Sequence, residues 1–159
     1  MADRIFICAL LVQCIGISTA FGQPVLASGL EVENYRELEY LIENLSDGAK
    51  KLRLTENRLQ NKVELRLRQA GIKPSDGSQS FSANPYLYVQ ANIGGRGFNV
   101  SVQFKRWMSY QVGGRTFKKF AATWDTGVTG TTNDADYVVG ALDDALDIFL
   151  NAYLKANQK

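Results

Sequence analysis

The sequence contains no histidine, and its two cysteines, Cys8 and Cys14, lie near the N-terminus. Without an imidazole the protein lacks the usual general base of neutral-pH catalysis, the commonest metal ligand and the usual pH switch. If the N-terminal segment is removed, the remaining chain has no thiol for a disulfide or a thiolate metal site. These absences exclude several classes of enzyme, and no cofactor-binding motif is present.

The first 27 residues have the pattern of a cleavable signal peptide. Arg4 precedes an apolar run over residues 5–17, which small residues follow. The run is too short for a typical transmembrane helix. Cleavage is allowed after Gly22 or after Ala27, and Pro24 favours the second site. The sequence thus predicts a signal peptide at residues 1–27 and a periplasmic or secreted protein, the alternative being an uncleaved membrane anchor.

The remaining residues, 28–159, have the length and composition of a single globular domain. Hydrophobic residues make up 45% of the chain and charged residues 21%, which is ordinary globular usage. The formal net charge is only +2, so there is no global attraction to nucleic acid. Membrane contact is expected only through an uncleaved leader.

Two amphipathic helices are predicted. The first runs from Glu56 to Ala70, with Thr55 as N-cap and a stop at Gly71 and Pro74. The second follows a Gly/Thr loop over residues 127–132, is capped by Asn133 or Asp134, and carries an apolar stripe of Val138, Val139, Leu142, Ala145, Leu146, Phe149 and Tyr153.

Residues 85–126 alternate between apolar and polar and predict a three-stranded antiparallel sheet with turns at Gly94-Gly95-Arg96-Gly97 and Gly113-Gly114. The first strand turns Leu87, Val89, Ala91 and Ile93 inward, and the second turns Phe98, Val100, Val102 and Phe104 inward. The third, about residues 115–125, is predicted to bury Phe120, Ala122 and Trp124, with Phe117, Ala121 and Thr123 on its other face. Arg106 falls on the inner face unless a bulge intervenes or the strand runs past the core.

Residues 36–45 fit either a helix or a strand by periodicity, and Ser46-Asp47-Gly48 after them predicts a turn that suits either element. The segment from Ser75 to Asn84 is rich in Ser, Asp, Gly and Gln and predicts a loop.

Two charged rows are predicted to be solvated helix faces. Arg58, Lys62, Arg66 and Gln69 form one of them, with an anion-binding stripe as the less favoured interpretation. Asp143, Asp144 and Asp147 form the other, and a metal site there is disfavoured because nothing converges on them in sequence.

The tripeptide Asp125-Thr126-Gly127 matches the D-T-G of aspartic proteases, in which two aspartates share a proton. A single copy before a final helix is not the setting of that motif. A carboxylate-based hydrolase at Asp125 is therefore only the alternative function, and no catalytic, cofactor or metal residues are assigned.

The outer face of the sheet offers aromatic and basic side chains together, at Tyr86, Tyr88, Gln103, Lys105 and Trp107. Such a surface suits a partner protein or a glycan of the cell envelope. It also resembles a platform for single-stranded nucleic acid, a ligand that an exported protein rarely meets. The leading hypothesis is a non-enzymatic binding or assembly module.

Four stretches, LTENRLQNKVELRLRQAGI, NPYLYVQANI, ATWDTG and DIFLNAYLKAN, resemble a group of small exported bacterial proteins of unknown function. The resemblance covers residues 38–157 and implies a strand at residues 39–45, but no functional residues. The fold class predicted is α+β, a two-layer sandwich of order β-α-β-β-β-α. Its sheet is four-stranded and mostly antiparallel, with two helices on one face. The first strand is parallel to a neighbour, which is either the strand at Pro85 or the one at Arg115.

Overall fold

The computed structural model describes residues 27–77 and 84–158. Residues 1–26 of the predicted signal peptide, residues 78–83 of the predicted loop and Lys159 lie outside the described residues. The elements in chain order are β1 (Glu37–Ile42), α1 (Asp47–Lys51), α2 (Glu56–Gln69), β2 (Lys73–Asp76), β3 (Tyr86–Gly94), β4 (Gly97–Val112), β5 (Arg115–Thr131) and α3 (Ala135–Asn157).

The protein is α+β, as predicted, but its sheet is five-stranded and mixed rather than four-stranded. The strand order is β2-β1-β3-β4-β5. β1 is parallel to both β2 and β3, whereas β3, β4 and β5 are antiparallel. The neighbour left open by the sequence is therefore the strand after Pro85, and residues 37–42 are a strand.

The additional strand, β2, overlaps the N-terminal end of the predicted loop, which is therefore wrong at Ser75 and Asp76. β2 lies at the edge of the sheet and has one partner, β1, with Leu38 opposite Pro74. An edge strand tolerates proline because its outward side requires no amide donor. Composition favoured a loop, and pairing with β1 makes the segment a strand.

A third helix, α1, was also not predicted. Ser46 is its N-cap and accepts a hydrogen bond from the Ala49 amide. The sequence Ser46-Asp47-Gly48, predicted as a turn, is instead the start of this one-turn helix. Ala49 is fully buried, so α1 closes one end of the core.

α2 begins and ends as predicted. The Thr55 side chain accepts a hydrogen bond from the Arg58 amide. At the other end Gly71 has a φ of +74°, which glycine adopts without steric cost. The Ile72 amide donates to the Leu67 carbonyl at 2.9 Å, completing a Schellman motif.

α3 has the predicted cap and apolar stripe. The Asp134 side chain accepts from the Asp136 amide, and the stripe residues are buried except Val139, which is partly buried against the core. The predicted loop over residues 127–132 is wrong, because β5 continues to Thr131 opposite Gly97. Pairing with β4 outweighs the low strand propensity of Gly127 and Gly130.

The core lies between the sheet and the helices. The predicted inward residues of β3 and β4 are all buried, namely Leu87, Val89, Ala91, Ile93, Phe98, Val100, Val102 and Phe104. In β5 only part of the predicted inner set is right. Trp124 contacts the core, with its ring centroid 5.4 Å from that of Phe149.

A β-bulge explains the error in β5. Phe104 pairs with Trp124 and Lys105 pairs with Ala122, so Thr123 is an extra residue in the ladder. One extra residue exchanges the faces of every side chain beyond it. Phe120 and Ala122 therefore lie on the outer face, and Phe117 and Ala121 on the helix side. Arg106 does face the helix side, where its guanidinium donates to the Glu31 carbonyl at 2.6 Å.

Tyr153 carries a buried hydroxyl that has no hydrogen-bond partner among the described residues. Burial raises the pKa of Tyr153 to about 12. Replacing Tyr153 with Phe removes an unpaired polar group while keeping the ring, so we expect the free energy of unfolding to rise by about 1 kcal/mol. Urea unfolding followed by circular dichroism measures the change. A loss of stability would show that the hydroxyl forms a bond in solution.

Candidate functional site

None of the helices described packs on the outer face of the sheet, because the inward residues of its central strands all pack toward the helix layer. The register brings the five predicted surface residues together. Tyr86 is opposite Lys105, Tyr88 is opposite Gln103, and Trp107 follows two residues later on the same face of β4. The five residues are therefore neighbours on one face of the sheet. Their role in binding is a prediction.

Lys105 lies over the ring of Tyr88, with its Nζ 3.4 Å from the ring centroid. This is close cation–π geometry. Burial raises the pKa of Tyr88 to about 12, and a hydrogen bond with Glu43 acts in the same direction. Burial lowers the pKa of Lys105, which the Glu43 carboxylate partly opposes. The pair is thus a half-buried, preorganised cation and aromatic ring.

Glu43 is a member of this site that the sequence analysis missed. Its backbone amide donates to the Val89 carbonyl at 2.9 Å, so pairing along β3 places its side chain beside Tyr88. Its Oε2 atom is buried and accepts no hydrogen bond from the described residues. The only sequence signal for Glu43 was the alternation of glutamates with apolar residues before residue 43. Periodicity alone could not assign that segment to a strand.

An aromatic cluster adjoins the Tyr88–Lys105 pair. Phe120 stacks on Tyr86 with ring centroids 5.4 Å apart and meets Trp107 edge to face, also at 5.4 Å. The side chain of Trp107 remains 52% exposed. Phe120 was assigned to the core because the bulge at Thr123 could not be seen in the sequence. The outer-face site is defined here as Glu43, Tyr86, Tyr88, Gln103, Lys105, Trp107 and Phe120.

The D-T-G tripeptide lies inside β5, not at a strand end as predicted. Asp125 is exposed, and the residue opposite it in the ladder is Gln103. Asp125 therefore lies within a pair of strands on an open face of the sheet. In an aspartic-protease site, by contrast, two aspartates converge.

The two charged helix rows are partly exposed to solvent, and most of their members also form ion pairs between the helices, which the sequence did not predict. Arg58 pairs with Asp136, and Arg66 pairs with Asp147. Asp143 lies 3.4 Å from both Lys62 and Arg66. The rows join α2 to α3, and Gln69 and Asp144 stay exposed outside them.

A groove of about 570 Å³ lies beside β1 and β2. Its lining includes Glu33, Glu37, Glu39, Lys73 and Arg106. Lys73 and Glu37 pair across it at 3.2 Å, so part of its charge is internally neutralised. No group of three or more Asp, Glu, Cys or His side chains suited to a metal ion occurs in the described ranges.

Neither the scan against protein-family models nor the search of curated proteins finds a match to this chain. Within residues 27–77 and 84–158, no helix is long and apolar enough to cross a bilayer.

Proposed function

We propose that the protein is a non-enzymatic binding module of the periplasm or cell envelope that holds a partner protein on its outer-face site. The observation that carries this proposal is the uncovered cluster of Tyr86, Phe120 and Trp107 beside the Tyr88–Lys105 pair. Aromatic residues and cations are the groups that dominate the binding energy of protein interfaces.

The shape of the surface supports a protein rather than a small ligand. Small-molecule sites are concave, whereas the outer-face site lies on adjacent strands of an open sheet. Tyr88 and Lys105 are already held in contact at 3.4 Å, so little side-chain freedom is lost on binding. The buried Oε2 of Glu43 supplies an acceptor at the edge of the aromatic cluster.

The hydrolase alternative has less support. Acid chemistry of the aspartic type requires two carboxylates close enough to share a proton. Asp125 faces Gln103 in the ladder and lies exposed on the sheet. The binding module is therefore the function that the geometry favours.

The export proposal is compatible with the start of the folded domain. Leu30 is fully buried, and the amide of Ser28 donates to Glu31 at 2.6 Å. Hydrogen bonds from this backbone hold the pKa of Glu31 well below its usual range, at about 2. Cleavage after Ala27 would leave these contacts intact and place the new α-ammonium group beside the Glu31 carboxylate.

The test compares three single variants expressed in cells that produce the protein. Tyr88→Ala removes the ring under Lys105, and Lys105→Glu places a second carboxylate beside Glu43. We expect each to reduce the recovered partner at least about tenfold, since loss of an interface hot spot costs about 2 kcal/mol or more. Crosslinking followed by mass spectrometry measures the recovery.

Asn92→Ala is the matched control, because Asn92 is exposed on the same face of β3 but outside the outer-face site. It should leave the partner and its yield unchanged. Identical partners and yields for the wild type and all three variants would show that this face does not bind a partner.

A further inference from the structure

β4 and β5 extend beyond the rest of the sheet as a two-stranded hairpin. Pairing of β3 with β4 stops at Tyr86 opposite Lys105, whereas β4 and β5 stay paired as far as Val112 opposite Arg115. We call residues 106–121, with the Gly113-Gly114 turn, the distal hairpin. Over this length neither strand pairs with another described strand on its second side.

One face of the distal hairpin carries a row of exposed apolar side chains that no described element covers, with Arg115 and Lys119 beside them on the same face. It is the face that continues the inner side of the sheet, and it carries Met108, Tyr110, Val112 and Phe117, which are 43%, 49%, 61% and 42% exposed. Tyr110 and Phe117 are opposite each other, with ring centroids 5.6 Å apart. Four large apolar side chains exposed on one short element form a patch of the kind that marks an interaction surface.

All the charged residues of the distal hairpin are basic. No acidic residue occurs between Asp76 and Asp125, a stretch with six lysines and arginines, so the rest of the chain carries a net charge of −4. Arg115, Lys118 and Lys119 are exposed, and they belong to none of the ion pairs found among the described residues. The small net charge of the whole protein conceals this asymmetry.

We propose that the distal hairpin docks on an anionic phospholipid surface. The four apolar side chains enter the interfacial region of the bilayer, and Arg115 and Lys119, which are opposite Val112 and Met108 on the same face, contact the anionic headgroups. Lys118 lies on the other face and adds to the local positive charge. The unpaired strand edges keep the hairpin at this depth, because unsatisfied backbone groups are too costly in hydrocarbon. Trp107 and Phe120 of the outer-face site belong to the same hairpin but lie on its opposite face. The two proposals use different faces, so either can fail without the other.

Two other occupants fit the patch less well. A second copy pairing along β5 would bring two rows of Lys118 and Lys119 together, and like charges at a strand pair are destabilising. Nucleic-acid platforms bind bases by stacking on aromatic rings. Met108 and Val112 are aliphatic. Aliphatic side chains gain free energy by entering an apolar phase rather than by stacking.

The N-terminal segment meets the domain at the root of the distal hairpin. The Arg106 guanidinium donates to the Glu31 carbonyl at 2.6 Å, and the Thr123 hydroxyl donates to the Gly29 carbonyl, also at 2.6 Å. A chain held at a membrane through the residues before Gly29 would therefore have the hairpin root at that membrane.

Vesicle co-sedimentation tests the proposal, using the protein as cells accumulate it, with its N-terminus determined by mass spectrometry. Phosphatidylcholine vesicles are compared with and without phosphatidylglycerol. We expect binding to require phosphatidylglycerol and to weaken as salt is raised. Two variants should each weaken binding about tenfold or more, namely Val112→Asp and the double variant Lys118→Glu with Lys119→Glu. For the double variant, the reason is that each basic residue near an anionic surface contributes about 1 kcal/mol to binding.

Matched controls place the same changes elsewhere. Ile148→Asp alters an exposed apolar residue of α3, 51% exposed, and Lys50→Glu with Lys51→Glu reverses two exposed charges of α1. Both should bind like the wild type, and circular dichroism should show all variants folded.

Four results would overturn the proposal. They are equal binding to neutral vesicles, equal loss of binding in the controls, a dimer abolished by Val112→Asp while vesicle binding persists, and tighter binding to a single-stranded oligonucleotide than to anionic vesicles.

Discussion

Phe149→Ala is expected to lower the free energy of unfolding by about 4 kcal/mol, a large part of the stability of a domain of this size. Phe149 is fully buried at the centre of the helix–sheet interface. Its ring centroid lies 5.4 Å from those of both Trp124 and Tyr153 and 6.3 Å from that of Phe104. Truncation leaves a cavity surrounded by rings that cannot collapse into it.

Urea unfolding followed by circular dichroism measures this loss, and Ile148→Ala is the control. Ile148 is the adjacent residue of α3 and is 51% exposed, so its truncation should change the stability by no more than about 0.5 kcal/mol. Similar losses for the two variants would mean that α3 does not pack on the sheet through Phe149.

Gly48→Ala is expected to destabilise the protein by about 3 kcal/mol, although alanine is the better helix former. A Cβ at residue 48 would lie 2.1 Å from the Ile93 carbonyl oxygen. α1 would have to move away from β3. That movement would break the hydrogen bonds that the Ser46 hydroxyl makes with the Ile93 amide at 3.2 Å and the Ile93 carbonyl at 3.3 Å.

Gly140→Ala is the control, because it tests helix propensity without a close backbone contact. A Cβ at Gly140, within α3, has no atom outside its own helix within 4 Å, so alanine there should raise the free energy of unfolding by about 0.5 to 1 kcal/mol. Thermal and urea unfolding of both variants give the comparison. A stabilising Gly48→Ala would show that α1 does not contact β3 as described.

Local sequence signals were sufficient for the elements whose ends are set by neighbouring residues. Thr55 and Gly71 are the cap and stop of α2 because their hydrogen bonds run to residues within one helical turn. The inward residues of β3 and β4 were readable because both strands alternate without interruption up to Phe104. The apolar stripe of α3 was predictable because its residues recur at helical spacing.

The errors occur where pairing with a distant segment decides the local structure. β2 is a strand because Lys73–Asp76 pairs with β1, and β5 passes through Gly127 and Gly130 because β4 is its partner. The charged rows of α2 and α3 pair because the helices pack side by side, a relation between residues such as Arg66 and Asp147 that lie far apart in sequence.

For the candidate site, the sequence predicted five surface residues, and the register places them together on the outer face. Phe120 was missed because a single extra residue, Thr123, inverts the alternation of β5 beyond it. Glu43 was missed because its position depends on the parallel pairing of β1 with β3.

The sequence by itself determined that the protein has no histidine chemistry, that one helix begins after Thr55 and another after Asn133 or Asp134, and that one face of β3 and β4 is core. These follow from composition and from periodicity within one element. Only the tertiary structure decided the strand order, the bulge at Thr123 and the exposure of the distal hairpin. Each of these depends on which distant segments pair, and hydrophobic periodicity carries no information about the identity of the partner.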